Sequence, residues 1–197
     1  LEGKSFSTSS DIRNEQGVYL GAEWQPHRRF VLTAYADGYH FPYLRYRVSA
    51  SSYGTDGVVT ARYMPNSEHN LLLRYRFRLK QRDVADGYRL PNGGLLNEWT
   101  HRLRLQWSGT LTSLLSLQTM MEGCFVQAEK HAMGVMASAQ GTYSPTLGQH
   151  TLRLSCGLTA FRADYAARLY GYERGLLYAY NYQMYYGTGL RGYLLLQ

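Results

Sequence analysis

The residues best placed to do chemistry are cations at every second position: Arg74, Arg76, Arg78 and Lys80, between Leu71 and Lys80. A period of two puts these four on one side of a strand and Leu73, Tyr75, Phe77 and Leu79 on the other. A helix would scatter the same cations around most of its circumference. Arg102 and Arg104 repeat the pattern against Leu103, Leu105 and Trp107, and Arg62 and Arg153 do so on two further strands. Rows of guanidinium and ammonium groups attract phosphates, carboxylates and other anionic solutes. Opposed on neighbouring strands, such rows destabilise each other by a few tenths to ~1 kcal/mol per pair unless water, carboxylates or bound anions intervene. Glu23, Asp37 and Glu122 are available as partners. Two roles stay open for the row: a structural network filling a small interior, or an anion-binding or anion-selective surface.

Acid–base and nucleophilic chemistry is poorly represented. His27, His69 and His150 lie in or beside short turns, and His40, His101 and His131 near loop ends, with no nucleophile, base and orienter set among them. There is no G-x-S-x-G, no metal-spaced Cys/His cluster, no Walker loop and no dinucleotide fingerprint. Gly187-Thr188-Gly189 is too short for a phosphate loop and reads as a hairpin turn. Cys124 and Cys156 fall on opposite faces of strands that do not pair directly, so no disulfide is expected. The expectation is a protein without catalytic residues, cofactor or metal.

The elements that must position the cations are strands. The 197 residues make one domain's worth of chain, with 21 Lys and Arg against 14 Asp and Glu for a net charge of +7. Nineteen Tyr and 20 Gly against 5 Pro suit strands, turns and closely packed sheet walls. No apolar run approaches the ~18 residues of a membrane-spanning helix, whereas a membrane barrel is encoded by alternation. Residues 1–16 lack a period and read as a lead-in loop; residues 17–197 alternate. The start, Leu1-Glu2-Gly3-Lys4, has no signal-peptide pattern, and the chain is expected to be the C-terminal piece of a longer protein.

About ten strands are expected, each near the ~9–11 residues that a tilted strand needs to cross a membrane. Short turns fall at Gln25–Arg28, Pro65–Glu68, Ser108-Gly109, Ser144–Gly148 and Gly187–Gly189. Longer connections fall at Asp37–Asp56, Arg82–Asn97 and Asp164–Gly175, with a tight one at Ala128–Lys130. The last pair of strands is expected through Tyr178, Tyr180, Tyr182 and Met184 and then from Leu190 to Gln197.

Trp24, Tyr63, Trp107, Tyr143 and Tyr186 each precede a short turn, belong to the apolar set of their strand, and recur at intervals of about 40 residues. Large aromatics at one height in every repeat make an interfacial girdle, with rings between headgroups and acyl chains. The fold class expected is therefore all-β, an antiparallel up-and-down transmembrane β-barrel or part of a larger one. A soluble β-sandwich, in which aromatics also often flank turns, and a four-bladed propeller, which gives no reason for the girdle, are the competing architectures.

Asn14–Gly21, Phe41–Val48, Arg168–Glu173, Leu177–Tyr180 and Tyr185–Gly187 resemble the C-terminal part of a Bacteroidetes family described as helix-hairpin-helix domain-containing proteins. The resemblance implies an outer-membrane barrel preceded by an N-terminal region similar to competence-type DNA-binding modules. That region is absent here, so no DNA-contacting residue carries over. Barrel proteins commonly close on an aromatic residue that the insertion machinery reads, whereas this chain ends Leu194-Leu195-Leu196-Gln197.

The function expected is a non-enzymatic barrel in the bacterial outer membrane with a basic lumen formed by Arg62, Arg74, Arg76, Arg78, Lys80, Arg102, Arg104 and Arg153. It would serve as anchor or passage. Its partners would be outer-membrane lipid, the barrel assembly machinery, and an anionic solute or DNA reached through the missing N-terminal region. The alternatives are a lipid-modifying barrel enzyme, which requires a Ser and His pair converging at the rim, and a soluble sandwich that binds anionic glycans.

Overall fold

The computed structural model describes residues 14–46, 48–83, 95–147, 150–173 and 182–197. The strands in chain order are β1 (Gln16–His27), β2 (Phe30–Phe41), β3 (Ser52–Tyr63), β4 (His69–Arg82), β5 (Leu96–Thr112), β6 (Leu115–Gln127), β7 (His131–Tyr143), β8 (Thr146–Leu147), β9 (His150–Thr151), β10 (Leu154–Ala163), β11 (Leu169–Tyr172), β12 (Tyr182–Tyr185) and β13 (Gly187–Leu196). Nine of them form one antiparallel up-and-down sheet in the order β1-β2-β3-β4-β5-β6-β7-β10-β13. The remaining four form two small two-stranded sheets within the connections. β1 and β13 are the two edges, and they are not paired with each other among the described residues.

Alternation carries through the whole register. Trp24, Leu32, Ala61, Leu73, Leu105, Met121, Ala137, Ala160 and Leu190 stand opposite one another in sequence, an apolar row crossing all nine strands. One position away on each strand lies a row that contains Glu23, Thr33, Thr60, Arg74, Arg104 and Glu122. A one-residue slip of any strand would exchange its two faces, so this contrast fixes the register. The apolar face is open: Leu105 is 42% exposed, Met121 62% and Leu190 69%.

Three connections depart from expectation. β2 reaches Phe41 and β3 begins at Ser52, so much of the expected loop from Asp37 to Asp56 is strand. The remaining residues fold over the polar face, where Arg45 lies 3.3 Å above the Phe41 ring and Val48 is buried. Burial lowers the pKa of Arg45. The turn expected at Ser144–Gly148 is longer than read, carrying the β8–β9 pair before Leu152 N–H bonds back to the Pro145 carbonyl.

The third departure is the largest. Gly187-Thr188-Gly189 is not a turn; it opens β13 and pairs with Phe161, Arg162 and Ala163 of β10. Gly187 has φ of +79°, a left-handed conformation suited to glycine, and it lets the chain swing from β12 directly into β13. Tyr182–Tyr185 pairs with β11 rather than with the main sheet. Alternation is the same for a strand within the wall and a hairpin laid against it, which is why the sequence does not separate them. Tyr178 and Tyr180, the loop tips Asp86-Gly87 and Asn92–Gly94, and most of the lead-in lie outside the described residues.

The described part of the excursion between β10 and β13 supplies an apolar core. A 3-10 turn, Tyr165–Ala167, brings Ala167 and Leu169, both fully buried, with Tyr185 onto Cys124, Val126, Ala132, Met136 and Ala163 of the polar face. Gly134 makes the approach possible, since a Cβ there would overlap the Ala167 carbonyl oxygen and stand 2.9 Å from Ala163 Cβ. Gly134→Ala is therefore expected to cost about 1–3 kcal/mol by overpacking. Limited trypsin digestion checks it: cleavage after Arg168 should accelerate in the variant, while unchanged cleavage would mean that the excursion does not depend on this contact.

Candidate functional site

The six cations expected on β4 and β5 meet on one face. Arg74 stands opposite Arg104, and Arg76 opposite Arg102. Two buried carboxylates make these like-charge pairs tolerable. Asp56 on β3, with its side chain 3% exposed, accepts from Arg76 Nε at 3.0 Å and Nη2 at 2.6 Å, and from Arg78 Nε and Nη2 at 3.2 Å each. Glu122 on β6 is equally buried; it accepts from Arg104 Nε at 2.6 Å and lies 3.8 Å from Arg102 Nη1. The forked geometry suits guanidinium, and lysine could not reproduce it.

Glu122 is one of the acids expected as partners; Asp56 is not, because it falls in a stretch that reads as loop. Its parity with Arg62, six positions on, is the signal the sequence holds. Asp37, also anticipated, is buried opposite Asp56. Glu23 joins Arg62, Arg74 and Arg104 around a cavity of about 440 Å³ towards the short-turn end of this face.

A second cavity, about 550 Å³, lies towards the long-loop end between the sheet and the excursion folded over its polar face. Arg76, Arg78, Lys80, Arg82, Glu98 and Arg102 line it from the sheet, with Tyr165, Arg168 and Tyr170 from the excursion. Arg82 is paired with Glu98 at 2.6 Å, but half of its side chain is exposed, so the pair contributes little. Arg102 Nη2 donates to the Arg168 carbonyl at 3.2 Å, tying wall to excursion. Arg168 donates from Nε to the Tyr170 hydroxyl at 2.7 Å, which raises its pKa, and its guanidinium lies 5.1 Å from the centre of the Tyr165 ring. The far end of the excursion is latched by Tyr185, whose hydroxyl donates to Glu173 at 2.7 Å; burial first and this bond second push its pKa up to about 12. Arg191 of β13 reaches the same Glu173 oxygen at 2.7 Å. Such a cleft, with fixed cations and phenol hydroxyls, is suited to hold a multiply charged anion. Arg168 and the two tyrosines are not among the expected site residues, because Asp164–Gly175 reads as a loop in the sequence.

The other expected positions divide. Arg62 shares the polar face, near Arg74. Arg153 stands apart, one residue before β10, where its backbone exchanges hydrogen bonds with Gln197 at the short-turn end. Trp24, Tyr63, Trp107 and Tyr143 lie on the apolar face towards the short turns, Tyr63 and Trp107 both opposite Leu71. Tyr186 does not join them. It precedes Gly187, opposite Ala163, at the other end of the sheet, because β13 starts where a turn was expected.

There Tyr186 meets Tyr165 edge to face, with ring centroids 5.5 Å apart. Tyr53, Trp99 and Phe125 mark the same end of the apolar face, so aromatics flank it at both ends. Trp99 and Trp107 are eight residues apart on β5. That is ~26 Å along the strand and ~20 Å at a tilt of ~40°. Tyr53 and Trp99 carry no turn signal in the sequence, because they stand beside long loops rather than before short turns.

One serine–histidine contact occurs at the long-loop end, between His40 Nε2 and Ser51 Oγ at 2.8 Å. Among the described residues no carboxylate is hydrogen-bonded to the other nitrogen of His40, so the pair lacks the orienter of a hydrolytic triad. Cys124 and Cys156 are free thiols on opposite faces. No group of His, Cys, Asp and Glu suited to a metal occurs among the described residues, and no described helix is long and apolar enough to cross a membrane. No protein-family model, curated protein or solved structure matches the chain.

Proposed function

We propose that this sheet is wall of an outer-membrane β-barrel, with its apolar face against lipid and its arginine-rich face lining an interior that attracts anionic solutes. The observation that carries the reading is the segregation of the two faces across nine strands, with Arg162 of β10 the one cation on the apolar side among the described residues. On one side an apolar row runs from Trp24 to Leu190, exposed and flanked by aromatics at both ends; on the other lie Arg74, Arg76, Arg102 and Arg104 with buried carboxylates. A soluble sandwich would cover the apolar row, yet Trp24 is 61% exposed and Leu190 69%. Apolar exposure on this scale calls for a covering phase, and a bilayer supplies one without a second sheet.

The basic face then acts as an electrostatic sink for anions entering from the long-loop side, and the protein serves as anchor or passage. A link to nucleic acid follows only from the family resemblance. The test is reversal potential in planar bilayers under a potassium chloride gradient, with the full-length protein. The expected sign is that of anion preference, reduced in Lys80→Gln/Arg168→Gln. Cation preference in the unsubstituted protein would overturn the anion reading while leaving the barrel untouched.

A further inference from the structure

Among the described residues of the nine strands, the apolar face carries one exposed arginine. Arg162 on β10 stands on that face, opposite Val135 of β7 and Thr188 of β13, and has no hydrogen bond or ion pair among the described residues. The nearest acid along its strand, Asp164, is occupied in accepting the Met133 N–H at 2.9 Å. Directly below Arg162 the surface sinks into a trough of about 770 Å³. Its floor is made by the small residues Gly123, Ala137 and Ala160, and its walls by Leu105, Met121 and Leu190. The volume falls in the ~300–1,000 Å³ range of small-molecule sites. Tyr165 and Tyr186 pack together just beyond Arg162, at the end of the sheet where the aromatics of the long-loop side gather.

We infer that Arg162 and this trough form a lipid site in the leaflet on the long-loop side, which takes the phosphate of an acyl phospholipid at the guanidinium and one acyl chain in the trough. The inference rests on the membrane reading above. A guanidinium at the interfacial level of a lipid face is stabilised by a headgroup anion, and phosphate offers it forked, charge-assisted hydrogen bonds. The Thr188 hydroxyl, across the strand pair, is a second donor for the same group. Small residues beneath let an acyl chain lie close to the backbone, where larger side chains would push it away.

Native mass spectrometry of the detergent-extracted full-length protein tests this, with phosphatidic acid and diacylglycerol of the same chains as probes. Phosphatidic acid should be retained about tenfold better than diacylglycerol, as expected for one charge-assisted contact. Arg162→Gln should abolish that preference, whereas Lys130→Gln, which removes an exposed cation at the same rim, should keep it. Inorganic phosphate should not compete. Equal retention of both lipids, an undiminished preference in Arg162→Gln, or displacement by inorganic phosphate would each overturn the site. Heat-shifted migration of the same sample separates the two failures: if the shift is present without phosphate preference, only this site falls, and if the shift is absent the membrane reading falls with it.

Discussion

Leu103→Arg should abolish membrane assembly, while Leu154→Arg should leave most of it intact. Leu103 is half exposed and stands four residues from both Trp99 and Trp107 on β5, midway between the two aromatic ends. Leu154 is opposite Tyr143, at the level of the short-turn aromatics. A cation on the lipid face costs ~2–4 kcal/mol at the midplane and ~0–1 near the interface. The depth contrast discriminates between environments, because a second protein layer over this face would penalise both substitutions according to packing rather than distance from the sheet centre. The measurement is the fraction of protein in carbonate-washed membranes. Equal loss for both variants would argue against lipid on this face.

The second large effect is expected at Asp56. Its carboxylate is buried and holds two arginines, one of which faces Arg102 across the next strand pair. Removing one partner of a buried pair typically costs ~3–5 kcal/mol, because the remaining charge is left uncompensated. Here the guanidiniums keep about a third of their exposure, with relative areas of 31% and 34%, so water relieves part of the penalty. Asp56→Asn is therefore expected to lose about 3 kcal/mol, at the lower end of that range. Adding Arg76→Gln should recover part of the loss, since it removes one of the stranded cations and the repulsion across to Arg102. Denaturant unfolding of detergent-solubilised protein reads both values. A double variant no better than Asp56→Asn alone would show that Asp56 acts through packing rather than by neutralising the row.

How much of this was legible in the sequence depends on whether a feature is local. The alternation of Leu71–Lys80 and of Arg102–Trp107 is local, and it gave the strands, their faces and the opposition of cations correctly. Face membership propagates through hydrogen-bonded register, so Glu122 could be assigned beside Arg104 from parity alone. Asp56 obeys the same parity, but Pro42 and the mixed polar stretch around it made its strand look like loop. The excursion, described over Asp164–Glu173 and Tyr182–Tyr186, is not legible for a different reason. Its tyrosines alternate as sheet residues do, and only Gly134, a gap on the neighbouring strand β7, marks where Ala167 packs onto the polar face. Two positions separated by tens of residues must be known to be neighbours before that gap has meaning. Tyr186 was placed at the wrong end for the same reason, since its turn proved to be strand.

The cleft follows from this geometry. Neither Arg168 nor Tyr170 would face Arg102 if the excursion ran outward, and the wall alone would present its arginines to an open surface. The fold of the excursion over the polar face converts a row of charges into a cleft with donors on two sides. It also explains the use of Glu173 as a latch, which holds Tyr185 and Arg191 together at the far end.

The most direct measurement is migration of the full-length protein on a detergent gel, cold against boiled, after extraction from carbonate-washed outer membranes. A closed membrane barrel predicts a band that resists carbonate, runs at one position when kept cold and shifts on boiling. Protein that washes off with carbonate and shows no heat shift would contradict lipid on the apolar face, and the arginine row would then belong to a water-exposed sheet.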